Sequence, residues 1–203
     1  DNGTNQGTAW SGISFNDAAW ASGNAQLGYG DGDETTIVSY GSNANAKYIT
    51  TYFRKTITIN NPAAFSGFTA GVKRDDGIVV FVNGTEVYRN NMPGGSISYT
   101  TLASSAASDD GNTVQVFTIN SSAFVNGTNV IAVEIHQNAG NSSDISFDME
   151  LAGDVDITTP AVTGFTPVDN AANIAANTNL TITFTEDVQK GTGNIIIKES
   201  AVS

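Results

Sequence analysis

The sequence contains no cysteine and a single histidine, His136. The first absence excludes a disulfide scaffold, a thiol nucleophile and any thiolate metal site. The second excludes a zinc site built from several histidines. Basic residues are scarce as well: 8 Lys and Arg stand against 20 Asp and Glu, giving a net charge of -12 over 203 residues. So acidic a surface repels phosphate backbones and anionic lipid, which argues against nucleic acid as a partner. No run of roughly 18 apolar residues occurs, so membrane insertion through a helix is not expected. The opening Asp1-Asn2-Gly3-Thr4 has neither the charged nor the apolar region of a signal peptide, so a secreted form would already have lost its signal.

What is present is strand-and-turn chemistry. Charged residues make up only 14%, so the polarity comes from Asn, Ser, Thr and Gly, while aromatics reach 9% and argue against disorder. This acidic, Lys-poor, cysteine-free balance points to a bacterial protein that is secreted or held at the cell surface. Asn-x-Ser/Thr triplets, as at Asn83 and Asn126, then read as turn chemistry and not as glycosylation sites.

Period-2 patterns dominate. From Tyr48 to Ile59, Phe53, Ile57 and Ile59 fall on one face, and Tyr52, Arg54, Thr56 and Thr58 on the other. The first set should meet a core and the second a wetter surface. Gly77 to Val82 is apolar on both faces, as a central strand would be. It runs into Asn83-Gly84 and then Thr85 to Arg89, the strongest short signal for a hairpin. Strands are also expected over Thr113 to Ile119, Asn129 to His136 and Asp144 to Leu151, with one helical turn at Ser121 to Val125. The fold class is therefore all-β, a β-sandwich of short strands. After Leu151 the pattern lapses, and residues 154–159 read as a linker. Beyond it, Val162 to Thr166, Leu180 to Thr185 and Asn194 to Lys198 read as strands too few to close a sandwich. Such a sheet would expose an apolar face, so self-association through residues 160–203 is expected.

Two resemblances organise these elements. Arg74-Asp75-Asp76-Gly77, Val80-Phe81-Val82-Asn83-Gly84 and Asn126 to Val133, with Trp20 and Ala25 to Gly30 upstream, resemble the galactose-binding-like jelly roll found in the sugar-binding domain of family 2 glycoside hydrolases. That resemblance covers residues 1–153 and implies a jelly-roll β-sandwich, a non-catalytic module of a larger secreted protein. Residues 160–203 carry Pro160, Gly164-Phe165-Thr166-Pro167, Asp169-Asn170-Ala171 and Asn179 to Phe184. They resemble the start of a surface-layer-type bacterial Ig-like domain, which implies a spacer or surface role. The function so implied is carbohydrate binding or cell-surface attachment, with a polysaccharide or cell-surface glycan as partner. The competing class is a structural or adhesive building block without a small ligand.

Candidate ligand residues come from two places. Tyr52, Arg54, Glu134 and His136 share the polar strand face, where an aromatic ring, an Arg and a carboxylate could grip a sugar. A lone His on such a face is more often a hydrogen-bonding residue, and no G-x-S-x-G accompanies it, so acid–base or nucleophilic catalysis is not expected. Arg74 and Asp76 could orient a ligand, although a turn with an Arg–Asp pair at a sheet end is the favoured reading. Asp31-Gly32-Asp33-Glu34 gathers hard oxygens on one loop, so Asp31 and Asp33 are candidate calcium ligands; the alternative is a solvated acidic turn. The jelly-roll resemblance also implies a structural calcium.

Overall fold

The computed structural model describes residues 3–155, 157, 159–188 and 191–192. It divides into two compact units, Asp1–Asp156 and Ile157–Ser203. The first unit is a two-sheet β-sandwich. One sheet has the order β2-β1-β9-β4-β7, from Thr36–Ile37, Leu27–Tyr29, Ile145–Val155, Phe65–Asp75 and Gln115–Ile119. The other has the order β3-β8-β5-β6, from Thr50–Ile59, Gly127–His136, Gly77–Val82 and Thr85–Asn90. All pairings are antiparallel except β1 with β2.

The inner faces meet as the alternation requires. Val72, Ile145 and Phe147 from the first sheet pack on Ile78, Val80, Ile131, Val133 and Ile135 from the second. Phe53 and Ile57 of β3 and Met149 and Leu151 of β9 join the same core. β5 and β8 lie in the middle of their sheet, which explains why β5 is apolar on both faces. The β5–β6 hairpin turns at Asn83 and Gly84, with φ of 53° and 88°, the two positive values that a type I′ turn demands. The expected single helical turn is a 3-10 turn over Ser121–Ala123, capped by the Asn120 side chain, which accepts from the Ser122 N–H.

Two expectations are corrected. The outer face of the β3-β8-β5-β6 sheet is not wet around Tyr52. Trp10, Tyr52, Val130 and Ala132 form a second buried cluster there, supported by Phe15, Trp20, Phe81 and Tyr99. Loop residues from 9–20 and 96–104 thus add a third layer, because their aromatic rings remove apolar area from water. The linker also begins later than the pattern indicates. β9 continues to Val155 and pairs with β4 as far as Phe65. Gly153 permits this: a Cβ there would stand 2.5 Å from the Phe65 ring.

In the second unit, β10 (Val162–Thr166) and β11 (Thr181–Phe184) form an antiparallel pair. These match two of the three strands expected there. The third, Asn194 to Lys198, lies outside the described residues.

Candidate functional site

The register of β3, β8 and β5 places Tyr52 beside Glu134 and Thr50 beside His136, with Val79 and Gly77 on the other side. The four candidate residues of this face do come together, but under cover. Tyr52 is 2% exposed, Glu134 6% and His136 0%. The Tyr52 hydroxyl is pushed up from its ordinary pKa, chiefly by burial and then by the Glu134 carboxylate. The Arg54 side chain is also enclosed. Its Nε donates to Asp17 Oδ2 at 2.9 Å, and its Nη1 donates to the carbonyls of Trp10 and Gly12. Its guanidinium also lies over the Phe15 ring at 5.1 Å.

His136 Nδ1 lies 2.7 Å from the Thr101 carbonyl. A carbonyl can only accept, so Nδ1 carries the proton. Thr50 Oγ1, 3.1 Å from Nδ1, donates in turn to the Tyr99 carbonyl. His136 Nε2 sits 3.5 Å from Glu134 Oε1 without hydrogen-bond geometry. These groups fasten the 96–104 loop to the sheet. The expectation of an accessible polar face is therefore corrected: Tyr52, Arg54 and His136 hold the third layer, and Glu134 is buried beside His136.

Arg74 and Asp76 also have structural partners. Arg74 Nε donates to Asn90 Oδ1 at 2.7 Å, bridging β4 to β6, and its Nη1 pairs with Asp109 at 3.1 Å. The Arg–Asp pair at the sheet end thus exists, with Asp109 as the acid. Asp76, 2% exposed, accepts from the backbone N–H of Ala107 at 2.8 Å and of Asn138 at 2.7 Å. It ties two loops to the start of β5.

The acidic loop has a different character. Asp33 Oδ1 accepts from Gln26 Nε2, and both Glu34 oxygens accept backbone N–H groups, from Asp31 and Gly32. Asp31 Oδ2 accepts from Ser146 Oγ at 2.7 Å. Carboxylate oxygens of Asp31, Asp33 and Glu34 lie within 4.8 Å of one another, and so do those of Asp31, Asp110 and Asp144. Burial, a hydrogen bond to Asp144 and the charges of Asp144 and Asp110 push Asp31 up to about 6, against the opposing pull of Ser146. Asp75 is pushed up to about 8 by burial, then by Asp76, Asp144 and Asp110. Asp110 and Asp144 were not among the candidate ligands read from the sequence, although Asp144 opens an expected strand. Asp109-Asp110-Gly111 could have been noticed as a second acidic turn, but nothing in the sequence joins it to Asp31.

A cleft of about 970 Å³ lies between the two sheets. Phe53, Ile57, Ile131, Val133, Phe147, Met149 and Leu151 line its interior. Its lining also includes half-buried Trp20 and the exposed polar residues Ser22, Asn24 and Ser39.

These geometries can be set beside known proteins. Residues 156–202 match a bacterial Ig-like domain. The match covers the second unit and agrees with the resemblance carried by Gly164 to Pro167 and Asn179 to Phe184. Over 71% of its length, the chain is similar to a solved β-glycosidase from Bacteroides vulgatus, with 16% identity and a TM-score of 0.35. It spans only 18% of that protein. No curated protein matches the chain. No described helix is long and apolar enough to cross a membrane.

Proposed function

We propose that the chain is a non-catalytic attachment module of a larger bacterial surface protein, with a galactose-binding-like jelly roll that takes carbohydrate, followed by an Ig-like spacer. The observation that carries the ligand reading is the cleft between the sheets. A cavity of this size with a few convergent polar groups is the default place to look for a ligand. Its lining combines Trp20, an aromatic ring able to stack on a sugar, with the amide and hydroxyls of Asn24, Ser22 and Ser39. The Ig-like match supports the surface setting. A second reading, a structural or adhesive building block, is favoured by the enclosure of Tyr52, Arg54, Glu134 and His136.

A glycan array run with calcium present separates the two. The attachment reading expects binding to at least one plant, algal or host polysaccharide, and a loss of at least tenfold in affinity in Trp20→Ala, about the 1.4 kcal/mol of one stacking contact. A blank array would leave the building-block reading. Self-association through residues 160–203 belongs to the same proposal. Its support is the exposure of Val162, Phe165 and Leu180 in the second unit. Sedimentation of the full chain should show a dimer or larger species, and a strict monomer at high concentration would reject it.

A further inference from the structure

Lys55 occupies a position where a strand of this kind should carry an apolar residue. Side chains alternate along β3, so Lys55 shares the inward face with Phe53, Ile57 and Ile59, while Arg54 and Thr56 point the other way. Its register partner on β8 is Ile131, a core residue. A lysine on the inner face of a sandwich needs an anion or a path to water. Lys55 is exposed and lines the cleft between the sheets. Among the described residues it takes part in no ion pair, although the chain carries 20 acidic residues against 8 basic ones.

The cleft is open because the sandwich lacks a wall on this side. β3 is an edge strand, paired only with β8. β1 flanks β9 only from Ile145 to Phe147, and from Asp148 onward β9 pairs with β4 alone. Between these two edges the inward-facing Phe53, Ile57, Met149 and Leu151 are only half-buried, although each packs on the core. The lining runs along β3 from Thr51 to Ile59, which spans about 27 Å at the rise of a strand, so the space is elongated. A sugar pushed inside would strand its hydroxyls, for these hydrocarbon and thioether side chains offer them no good partner, and unpaired polar groups in such surroundings oppose binding. The interior suits a long apolar chain.

We propose that this cleft binds one long-chain fatty acid, with the hydrocarbon tail between the sheets and the carboxylate held by Lys55. The tail would take the half-buried apolar side chains out of water. The carboxylate would give Lys55 the charge-assisted partner that it lacks. On a chain of net charge -12, an anion is admitted only where a local cation awaits it, and Lys55 is that cation in the lining of this cleft. The inference shares its cleft with the carbohydrate reading, but it rests on the interior and on Lys55, not on any sugar being bound. An inward-pointing lysine on an edge strand can also serve solely to block pairing with another sheet, and the test separates the two roles.

The test titrates the full 203-residue chain in a calorimeter with octanoate, decanoate and dodecanoate, each below its micelle concentration. The expected result is one site per chain, with affinity rising roughly fifteenfold for each two methylenes added, about fourfold per buried CH2. Lys55 is exposed, so Lys55→Gln should fold normally. It should weaken decanoate by about tenfold or more while leaving the neutral decan-1-ol unchanged, and Lys55→Arg should bind decanoate like the parent. If Lys55→Gln aggregates, Lys55→Glu takes its place: it keeps a charge on the edge and should abolish decanoate binding. Absence of saturable binding overturns the proposal, and so does an affinity indifferent to chain length or to the charge at Lys55. Equal weakening of decanoate and decan-1-ol would also overturn it, as a loss of cleft shape and not of a charge contact. Because these probes carry no sugar, the outcome is separate from that of the glycan array.

Discussion

Arg54→Ala should destabilise the first unit by about 3–5 kcal/mol, the summed cost of two backbone carbonyls left without their donor and of the packing lost around an enclosed side chain. The side chain is 3% exposed, and it is the rivet between β3 and the Trp10 turn. Removing it strands two carbonyls and lets the third layer lift, exposing the Trp10–Tyr52 contact, now 4.6 Å between ring centroids. Asp17→Ala should cost far less, about 1 kcal/mol, because Asp17 is 42% exposed and water can replace it. Both tryptophans lie in the first unit, so their fluorescence during urea unfolding reports on that unit alone. Equal midpoints for the two variants would show that the rivet is not what holds the layer down.

Asn129→Ala should be comparably severe, about 3–5 kcal/mol, since leaving a buried polar group unpaired costs roughly 1–3 kcal/mol and several are involved. Asn129 is 0% exposed. Its Oδ1 accepts from the Val125 N–H and from Asn83 Nδ2, both at 2.8 Å. Its Nδ2 donates to the carbonyls of Val125 and Gly127. Asn83 Oδ1 accepts from the Val130 N–H at 2.9 Å, so the two amides lock the β5–β6 turn to the start of β8. Asn129→Asp should also fail, because an acid cannot make the two donations. The urea midpoint with an unchanged slope is the readout. A loss below about 1 kcal/mol would mean that water enters and satisfies these groups.

The strands that announced themselves were those with branched or aromatic residues at alternate positions. β3, β5, β6, β7, β8, β9, β10 and β11 could be read from such residues, with errors at their ends. β4 was not among them. Phe68, Ala70 and Val72 do alternate with Thr69, Gly71 and Lys73, but Gly67, Ala70 and Gly71 leave the pattern only two large apolar side chains, and it was passed over although the strand pairs with both β7 and β9. Where β4 is small, a neighbour supplies the bulk: Phe117 of β7 lies opposite Ala70, while Phe68 and Val72 of β4 itself enter the core. β1 and β2 have three and two residues, too few to show any alternation.

The site was harder still. The sequence put Tyr52, Arg54, Glu134 and His136 on one face, and they share it. Their burial depends on a roof made by segments without periodicity, so local pattern carried no sign of it. Asp31 stood out as acidic text, whereas its companions Asp110 and Asp144 are joined to it only by the order β1-β9-β4-β7. A cluster assembled by topology has no spacing to recognise.

β9 occupies the middle of its sheet and is also the last strand before residue 156. Tension transmitted through the chain at that point enters the sandwich on an interior strand, not on an edge. Along β4 that strand is in register at ten positions, from Phe65–Val155 to Asp75–Ser146. A pull along its axis loads these hydrogen bonds in shear, many at a time, instead of opening them one after another. The aromatic roof over the opposite sheet is joined only by side chains and loop contacts, so under load it should be the layer that yields first while the β4–β9 pair holds.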